Sequence, residues 1–491
     1  MQQERFSLDS DFKLENTYIS LPELFFSRQL PSLVPTPQLV LFNKGLASEI
    51  SLPESFFTTE KGLAFLCGNQ LLKESIPIAQ AYAGHQFGYF STLGDGRAIL
   101  LGEYVTPSGQ RLDVQLKGSG RTPYSRRGDG KAALGPMLRE YIISEGMHAL
   151  GIPTTRSLAV VTTGERVYRE QPLEGAILTR LAQSHIRIGT FQYTYRFGST
   201  KDLQDLADYT LSRHFCSTTS IDNPYLYLLQ EVIQRQAKLI AKWQLVGFIH
   251  GVMNTDNILL SGETIDYGPC AFMDTYDPHT VFSSIDTEGR YAYGNQPKMA
   301  GWNLARFAET LLPLLHENRE KAILLAQDAI SDFGRQYQNY FLNGMRAKLG
   351  LYTEDEQDPS LINCLLNLMQ RYNADYTNTF YRLTTQNLSD MDLFNSNDFK
   401  EWYQAWQARL TQQGTSKEAV TSLMMQSNPA IIPRNYRVEE ALDAATQHHD
   451  YDVLKALLQV ITKPYDYNKI DEAYMHTPHT NGCNYRTFCG T

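Results

Sequence analysis

The chain has 491 residues, of which 42% are hydrophobic and 20% are charged, and its formal net charge at neutral pH is −9. A chain of this length exceeds the size at which one hydrophobic core usually stops growing, so two or more lobes are expected. The acidic balance argues against a nucleic-acid partner, because general nucleic-acid binding depends on a basic surface that neutralises phosphates.

The amino-acid sequence shows no signal for membrane insertion or for export. No apolar run approaches the roughly 20 residues of a membrane-spanning helix, and residues 1–9 lack the basic and apolar regions of a signal peptide. The six cysteines show no Cys-x-x-Cys spacing, which disfavours a disulfide framework and a zinc site. We therefore expect a cytoplasmic monomer with no membrane partner.

Hydrophobic periodicity divides the chain into five segments. They are an irregular N-terminal cap (1–75), a lobe with a small sheet and one long helix (76–187), a mainly helical lobe (188–330), a helical extension (331–463) and a surface tail (464–491).

The first lobe begins with a glycine turn and two strands. The turn Gly94-Asp95-Gly96 precedes an apolar run over 98–105, and the next run, 111–117, alternates as a strand does. A Gly-Asp-Gly turn alone is weak evidence for function, because it is an ordinary hairpin turn. The other elements predicted here are a helix over 136–150 and strands over 157–163 and 175–181.

A loop rich in glycine and arginine, 118–131, joins the second strand to the helix. It carries Arg121, Arg126, Arg127 and Lys131 among four glycines. A charge cluster is usually a solvated surface. Here, however, the glycines let backbone N–H groups approach an anion, and the loop lies just before a helix N-terminus. The pattern favours phosphate binding.

Lys117 ends the alternating strand. It is either a solvated edge lysine or an ammonium that binds nucleotide phosphate and pairs with a carboxylate. Glu140 and Glu145 on the predicted helix compete for that pairing. Glu140 is favoured, because it lies beside the apolar stripe, where a buried carboxylate would require a cation.

Helical spacing dominates after residue 187. Two helices are predicted over 203–215 and 226–246, and the second leads into a polar loop that starts at His250. Further helices are predicted over 300–316, 322–349, 360–372, 398–410 and 437–449.

The polar loop carries the candidate metal ligands. Asn257 and Asp266 lie at the ends of a short predicted hairpin, the layout in which kinase-like enzymes hold one Mg²⁺ against nucleotide phosphates. The alternative is that they are ordinary turn residues. The catalytic acid of kinases would fall at Val252, which cannot accept a proton. Asp256 is therefore either the base or a carboxylate that orients the loop.

A glycine turn, a strand lysine, a helix glutamate and an Asn/Asp hairpin follow one another in the order found in protein kinases. The series predicts an α+β fold of the two-lobed protein-kinase type. Arg97, Arg180 and Arg187 add more positive charge than one transferred phosphate requires, which indicates a triphosphate held over its whole length. His85 and His250 are expected to orient loops or lie in the core.

Three long motifs resemble the selenoprotein O family of kinase-like protein adenylyltransferases. They are AYAGHQFG at 81–88, QLKGSGRTPYSR at 115–126, and MNTDN at 253–257 together with DYGP at 266–269. The likeness covers most of the chain from about 75 to 320. It implies a kinase fold that binds ATP in reversed orientation and transfers AMP to Ser, Thr or Tyr hydroxyls of protein partners.

The resemblance also implies residue roles, motif by motif. Asp256 would accept the proton, Asn257 and Asp266 would hold Mg²⁺ or Mn²⁺, and Glu140 would pair with Lys117. The residues implied to contact the nucleotide are Gly94, Gly96, Arg97, Lys117, Asp129, Gly130, Arg180 and Arg187. A reversed nucleotide accounts for Val252, because the hydroxyl would then attack the α-phosphorus from another side.

Family members often end in a cysteine or selenocysteine that bridges to a cysteine after the Asp-Tyr-Gly motif. The candidates here are Cys489 and Cys270, although Cys270 lies very near the metal turn. Three functional alternatives stay open: phosphate transfer to a protein or small molecule, a nucleotide-binding pseudokinase scaffold without turnover, and UTP in place of ATP.

Overall fold

The computed structural model describes residues 5, 8–215, 221–469, 471–476 and 485–487. These residues form a lobe built on a sheet and a lobe built of helices, with a cleft between them. Within the same ranges, no helix is both long and apolar enough to cross a membrane.

A nine-stranded antiparallel sheet forms the first lobe, in the order β2-β4-β7-β8-β11-β10-β3, with β1 paired to β7 and β9 to β11. Separate two-stranded pairs are β5 with β6 and β12 with β13. The strands are β1 (Leu14–Glu15), β2 (Phe26–Arg28), β3 (Gln38–Phe42), β4 (Ile78–Gln80), β5 (Ala83–Gln86), β6 (Tyr89–Thr92), β7 (Ala98–Val105), β8 (Arg111–Lys117), β9 (Ala132–Ala133), β10 (Arg156–Tyr168), β11 (Pro172–Ala182), β12 (Phe248–Ile249) and β13 (Ala271–Phe272).

The segment before residue 76 does more than cover the sheet. It supplies β1, β2 and β3, and β3 forms one edge by pairing with β10. Sequence alternation did not reveal these strands, because they are short and held by pairing with distant strands. The predicted boundary at residue 75 stays a prediction.

Strand β8 shows how the sheet positions the site. Its apolar residues Leu112, Val114 and Leu116 face a core that also contains residues of the N-terminal helices. Its alternate residues Asp113, Gln115 and Lys117 are polar, yet each is at most 5% exposed. A strand's two faces alternate strictly, so this polar face points into the interior between the lobes.

The helices are α1 (Lys44–Glu49), α2 (Glu54–Phe57), α3 (Glu60–Leu66), α4 (Leu134–Ala149), α5 (Ile188–Phe197), α6 (Thr200–His214), α7 (Pro224–Leu245), α8 (Gln296–Leu315), α9 (Arg319–Lys348), α10 (Asp358–Arg371), α11 (Tyr376–Thr385), α12 (Asp392–Asn395), α13 (Asn397–Gln412), α14 (Lys417–Ser427), α15 (Asn435–His448) and α16 (Asp452–Ile461). Helices α7, α8 and α9 pack on one another, while α15 and α16 return to α4 in the first lobe. The predicted α+β, two-lobed, kinase-like fold class is confirmed, whereas the boundaries at 330 and 463 stay predictions.

The hairpin predicted after His250 was wrong in detail. Ile258 forms a single bridge to Thr264, and no strand is present over 258–266. The backbone of 258–260 pairs instead with the segment that joins the lobes, through Ile188 N to Ile258 O and Leu260 N to Ile186 O, both 3.0 Å. Residues 258–260 thus form their backbone hydrogen bonds with a segment distant in sequence and not with the predicted second strand of the hairpin. Local turn signals cannot reveal such a pairing.

Arg434, just before α15, joins three parts of the helical lobe. Its side chain is 1% exposed, and Nη1 lies 2.7 Å from Asp274 Oδ1 and 2.6 Å from Asp375 Oδ2. Asp274 follows β13, and Asp375 is the N-cap of α11. Because both carboxylates are mostly buried, the guanidinium is the charge that makes their burial tolerable.

Replacing Arg434 with methionine keeps the bulk but leaves both carboxylates without their cation. We expect the free energy of unfolding to fall by about 3–5 kcal/mol. Thermal unfolding curves supply the measurement, and the melting temperature should decrease. The control is Arg371→Met, because Arg371 is 67% exposed in its pair with Asp398, and such pairs contribute at most about 1 kcal/mol. Equal losses for the two variants would contradict the assignment.

Candidate active site

The cleft holds a cavity that residues of both lobes line. From the first lobe come Gly96, Arg97, Lys117 and Arg180, and from the segment that joins the lobes comes Arg187. The polar residues from the second lobe are Asp256, Asn257 and Asp266. Eight of the residues predicted from the sequence therefore meet at one cavity.

Lys117 is the charge that joins the two lobes at this cavity. Its ammonium contacts Glu140 Oε1 and lies 3.3 Å from Asp266 Oδ1. Burial lowers the pKa of Lys117, and the Glu140 and Asp266 carboxylates oppose that shift. Burial likewise opposes ionisation of Asp266, but Lys117 and Arg97 hold the pKa of this carboxyl well below its usual range. Lys117 thus joins β8 to α4 and to the turn after the catalytic loop.

The structure also decides between the two glutamates of α4. Glu140 lies on Lys117, whereas Glu145 forms a bidentate pair with Arg156, at 3.0 and 2.9 Å, on the other side of the helix. Both carboxylates are buried and both require a cation, so burial alone did not separate them. The position of β8, which places Lys117 beside Glu140, determines which of the two glutamates pairs with this lysine.

Two buried arginines complete the positive wall. Arg180 Nη2 donates to Gln115 Oε1 at 2.5 Å, and Arg187 Nη1 donates to the backbone oxygen of Asp256 at 2.7 Å. The Nε atoms of both arginines are buried and have no hydrogen-bond partner among the residues that the structure describes. Buried donors without partners carry a free-energy cost that a bound anion would remove.

The glycine turn and the basic loop pack against each other. Thr122 Oγ1 donates to the backbone oxygen of Asp95 at 2.7 Å, and Ser125 Oγ donates to that of Gly96. A Cβ at Gly94, whose φ is +138°, would collide with the Tyr124 ring. The loop therefore supports the turn beside the cavity, which explains why glycine is required there.

Three residues predicted to contact nucleotide do not line the cavity, namely Gly94, Asp129 and Gly130. Asp129 forms a bidentate pair with Arg169 of the β10–β11 hairpin, at 3.0 and 3.1 Å. Partial burial by itself would raise the pKa of Asp129, but the Arg169 guanidinium outweighs that effect, so the pKa lies below its usual value. A Cβ at Gly130 would meet the backbone of Gly120, so its space is filled by its own loop. Their nucleotide contacts stay predictions.

Asp256 lies in a short helical turn, Thr255–Asn257, at the bottom of the cleft. Burial raises the pKa of its carboxyl to about 6, and the Arg187 guanidinium opposes that shift. Its Oδ1 atom is buried, and no residue in the described part of the chain forms a hydrogen bond with it. Gly84 of β5 packs directly on this carboxylate, because a Cβ there would overlap Oδ1.

Asn257 and Asp266 are suited to hold a divalent cation. The Nδ2 group of Asn257 donates a hydrogen bond to the backbone oxygen of Val252 at 3.1 Å. This bond fixes the orientation of the side chain and leaves its oxygen as the atom that can bind a metal ion. Among the described residues, no group of three or more His, Cys, Asp or Glu forms a metal cluster. Mg²⁺ is commonly held by one or two carboxylates together with substrate phosphates, so the pair fits that requirement.

Both histidines are structural, as expected. His250 Nε2 bonds to the backbone oxygen of Ile265 at 2.8 Å, and its ring stacks on Trp243. His85 Nδ1 bonds to Gln192 at 2.8 Å, and the His85 ring lies against Phe90 and Trp302.

Sequence reasoning missed three residues of the cavity region: Tyr82, Asp95 and Gln115. The Tyr82 ring lies under the Arg187 guanidinium, and the distance from the ring centroid to Arg187 Cζ is 4.3 Å. Asp95 Oδ2 accepts from Gln80 N at 3.1 Å and from Gln115 Nε2 at 3.2 Å. The available signal for Gln115 was its position two residues before Lys117 on one strand face.

Cys270 is fully buried, and burial raises the pKa of its thiol to about 12. Its Sγ lies 3.2 Å from the backbone oxygen of Tyr267. Cys489 lies outside the described residues, so the bridge between these two cysteines stays a hypothesis.

Comparison with known proteins gives concordant matches. The family model described as Protein adenylyltransferase SelO matches residues 10–462. Two similar relatives are called Protein nucleotidyltransferase YdiU: one from Clostridium botulinum (strain Eklund 17B / Type B), 60% identical over 100% of both chains, and one from Geobacillus kaustophilus (strain HTA426), 60% identical over 99% of this chain and 100% of that one. ROP2 from Toxoplasma gondii, described as having a protein-kinase fold and no enzymatic activity, is 13% identical, with a TM-score of 0.24 over 69% of this chain and 88% of that chain.

The ion pair of Lys117 and Glu140 is open to a double-mutant cycle. From the variants Lys117→Met, Glu140→Gln and their combination, we expect a coupling free energy of about 1–3 kcal/mol, because both side chains are buried. Melting curves supply the measurement. The control cycle is Lys201 with Asp205, a pair whose lysine is 71% exposed, for which a much weaker coupling is expected because solvent and salt screen it. Equal coupling in both cycles would refute the central role of Lys117.

Proposed function

Because the chain belongs to the SelO family of protein adenylyltransferases and is a nucleotidyltransferase, we propose that it transfers AMP from ATP to Ser, Thr or Tyr hydroxyls of other proteins. The resemblance seen in the sequence is thereby confirmed at the level of the family. The AMP donor, the acceptor hydroxyls and the dependence on a divalent cation belong to the proposal, and the predicted monomeric state and cytoplasmic location stay predictions.

The observation that carries the proposal is the unpartnered oxygen of Asp256. Three carboxylates line the cavity. Asp266 is paired with Lys117, and Asp95 accepts hydrogen bonds from Gln80 and Gln115. Asp256 alone of the three has a buried oxygen without a donor. It is therefore the group best placed to take a proton from an incoming hydroxyl.

Positive charge in the cavity supports triphosphate binding. Arg97, Lys117, Arg180 and Arg187 all line it, and the two buried Nε atoms are free to donate. Guanidinium groups bind phosphate oxygens in a bidentate manner, which fixes orientation as well as charge. A divalent cation held by Asn257 and Asp266 would supply further neutralisation of phosphate charge.

The reaction then proceeds as follows for the residues of this chain. Asp256 accepts the hydroxyl proton while the hydroxyl oxygen bonds to the α-phosphorus of ATP. The bond from that phosphorus to the oxygen bridging to the β-phosphate breaks, and pyrophosphate leaves with the electron pair. Lys117, Arg180 and Arg187 stabilise the charge that develops on the departing group.

The test is transfer of label from ATP carrying it on either the α- or the γ-phosphate, with Mg²⁺ and Mn²⁺ compared. We expect protein to retain label from the α-phosphate only. Label from the γ-phosphate only would show a phosphotransferase, and nucleotide binding without any transfer would show a scaffold. Labelled UTP, used in parallel, tests the choice of nucleotide.

Asp256→Asn is expected to slow transfer by about 10²–10⁴-fold, the usual effect of losing a general base. Initial rates of α-label transfer supply the measurement. The matched control is Asp398→Asn, because Asp398 is 46% exposed and pairs with Arg371 on the surface. If Asp256→Asn retained the wild-type rate, the assignment of the base would be wrong.

Gly84→Ala gives an independent test of the same carboxylate. The added methyl group would overlap Asp256 Oδ1 and force the side chain to move. We expect transfer to slow by about 10²-fold, since small misplacements of catalytic groups have effects of that size. Gly334→Ala is the control, because a Cβ in that part of α9 meets nothing within 4 Å. Unchanged transfer by Gly84→Ala would place Asp256 elsewhere during the reaction.

A further inference from the structure

Arg290 lies at the mouth of the cleft, on the segment between β13 and α8. Its guanidinium carbon is 4.9 Å from the ring centroid of Trp302 and 5.7 Å from that of Tyr291. It also lies over Gly88 at the tip of the β5–β6 hairpin, where an added Cβ would be 3.7 Å from Nη2. Aromatic rings and a glycine therefore hold this guanidinium in place.

The surroundings of Arg290 connect it directly to the catalytic loop. The Tyr291 hydroxyl donates to Asn254 Oδ1 at 2.6 Å, and the backbone N–H of Phe87 donates to the same atom at 3.0 Å. Asn254 is two residues before Asp256. Arg290 is thus connected to the loop that carries Asp256 through its neighbour Tyr291 and Asn254.

Arg290 has no anionic partner within the described ranges of the chain. Asp286 is buried nearby, but its two oxygens accept from the backbone N–H groups of Arg290 and Tyr291, each at 2.8 Å. Arg306, which also lies over the Trp302 ring, pairs with Glu309 at 2.6 Å, while no ion pair of Arg290 is present among the described residues. The Arg290 Nε atom is buried and without a hydrogen-bond partner.

An immobilised, unpaired guanidinium is unusual in a protein whose net charge is −9. Arg306 also lies over the Trp302 ring, so it adds like-charge repulsion that an anion bound at Arg290 would reduce. Arg290 does not line the nucleotide cavity, so the phosphates of a nucleotide in that cavity do not account for it. An anionic partner of Arg290 can therefore be supplied by a second molecule bound beside the catalytic loop.

We propose that Arg290 binds an acidic side chain of the acceptor protein, a few residues from the hydroxyl that is modified. This inference rests on the proposed function and specifies its substrate class. The neighbouring surface suits an extended protein segment, because Tyr89 and Phe90 of the hairpin are 80% and 42% exposed next to the guanidinium. An acidic segment would thus gain one charged contact and adjacent aromatic contacts.

The experiment uses the full chain, ATP labelled on the α-phosphate and a pool of peptides made by digesting a bacterial lysate. Mass spectrometry identifies the modified hydroxyls and their flanking residues. One modified peptide is then synthesised with Glu, Gln or Lys at each flanking position in turn, and kcat and KM are measured for wild type, Arg290→Gln, Arg290→Glu and the surface control Arg371→Gln.

Wild type is expected to favour Glu over Gln at one or two flanking positions by about tenfold in kcat/KM, mainly through KM, as for a charge-assisted hydrogen bond. Arg290→Gln should erase that preference, Arg290→Glu should shift it to Lys, and Arg371→Gln should retain it. The shift to Lys is the outcome that a merely structural role would not produce.

Transfer of α-label without any charge preference, or a preference that survives Arg290→Gln, would overturn this inference and leave the proposed function standing. Weaker ATP binding by Arg290→Gln, with peptide preference intact, would assign the guanidinium to the nucleotide and also overturn it. Failure of wild type to label any peptide or protein from the α-phosphate would refute the proposed function, and this inference with it.

Discussion

The ammonium of Lys117 is the interaction on which the rest of the structure depends. It ends a strand of the first lobe and meets one carboxylate from α4 and one from the turn after the catalytic loop. Glu140 and Asp266 belong to parts of the chain far apart in sequence, and their side chains are 7% and 31% exposed. One buried charge therefore fixes the sheet, the helix and the catalytic loop relative to one another, because separating any of them would leave an unpaired ion in a poorly solvated place.

The cleft is built with charges that the protein alone does not fully satisfy. Lys117 is neutralised by the protein, whereas Arg180 and Arg187 each retain a buried Nε without a partner, and Asp256 retains an oxygen. Such groups cost stability, and proteins keep them mainly where a ligand supplies the missing contacts. The same reasoning applies outside the cavity to Arg290, whose aromatic supports hold it without an anion. Arg434, by contrast, has both of its carboxylate partners within the described part of the chain.

The C-terminal helices contribute to the site although none of them lines the cavity. Helices α15 and α16 pack on α4, the helix that carries Glu140. Arg139, next to Glu140, contacts Glu439 of α15 and donates to the Tyr485 hydroxyl at 3.0 Å. Thr487 Oγ1 donates to the backbone oxygen of Pro269, just after the metal turn, at 2.6 Å. These contacts hold α4 and the turn from outside, so the predicted surface tail is in part a buried support.

The sequence by itself determined the parts of the site whose signals are local. Strand alternation placed Lys117, and the spacing of Asn257 and Asp266 marked the loop, because side-chain period and turn chemistry act over a few residues. The sequence favoured Glu140 over Glu145 as the partner of Lys117, but only the tertiary structure showed that contact, and only it showed that Asp129 pairs with Arg169. Glu140 and Glu145 are chemically equivalent candidates for the pairing with Lys117, and Asp129 could have faced either a nucleotide or Arg169. The choice depends on which distant segment packs alongside, and no local pattern encodes that.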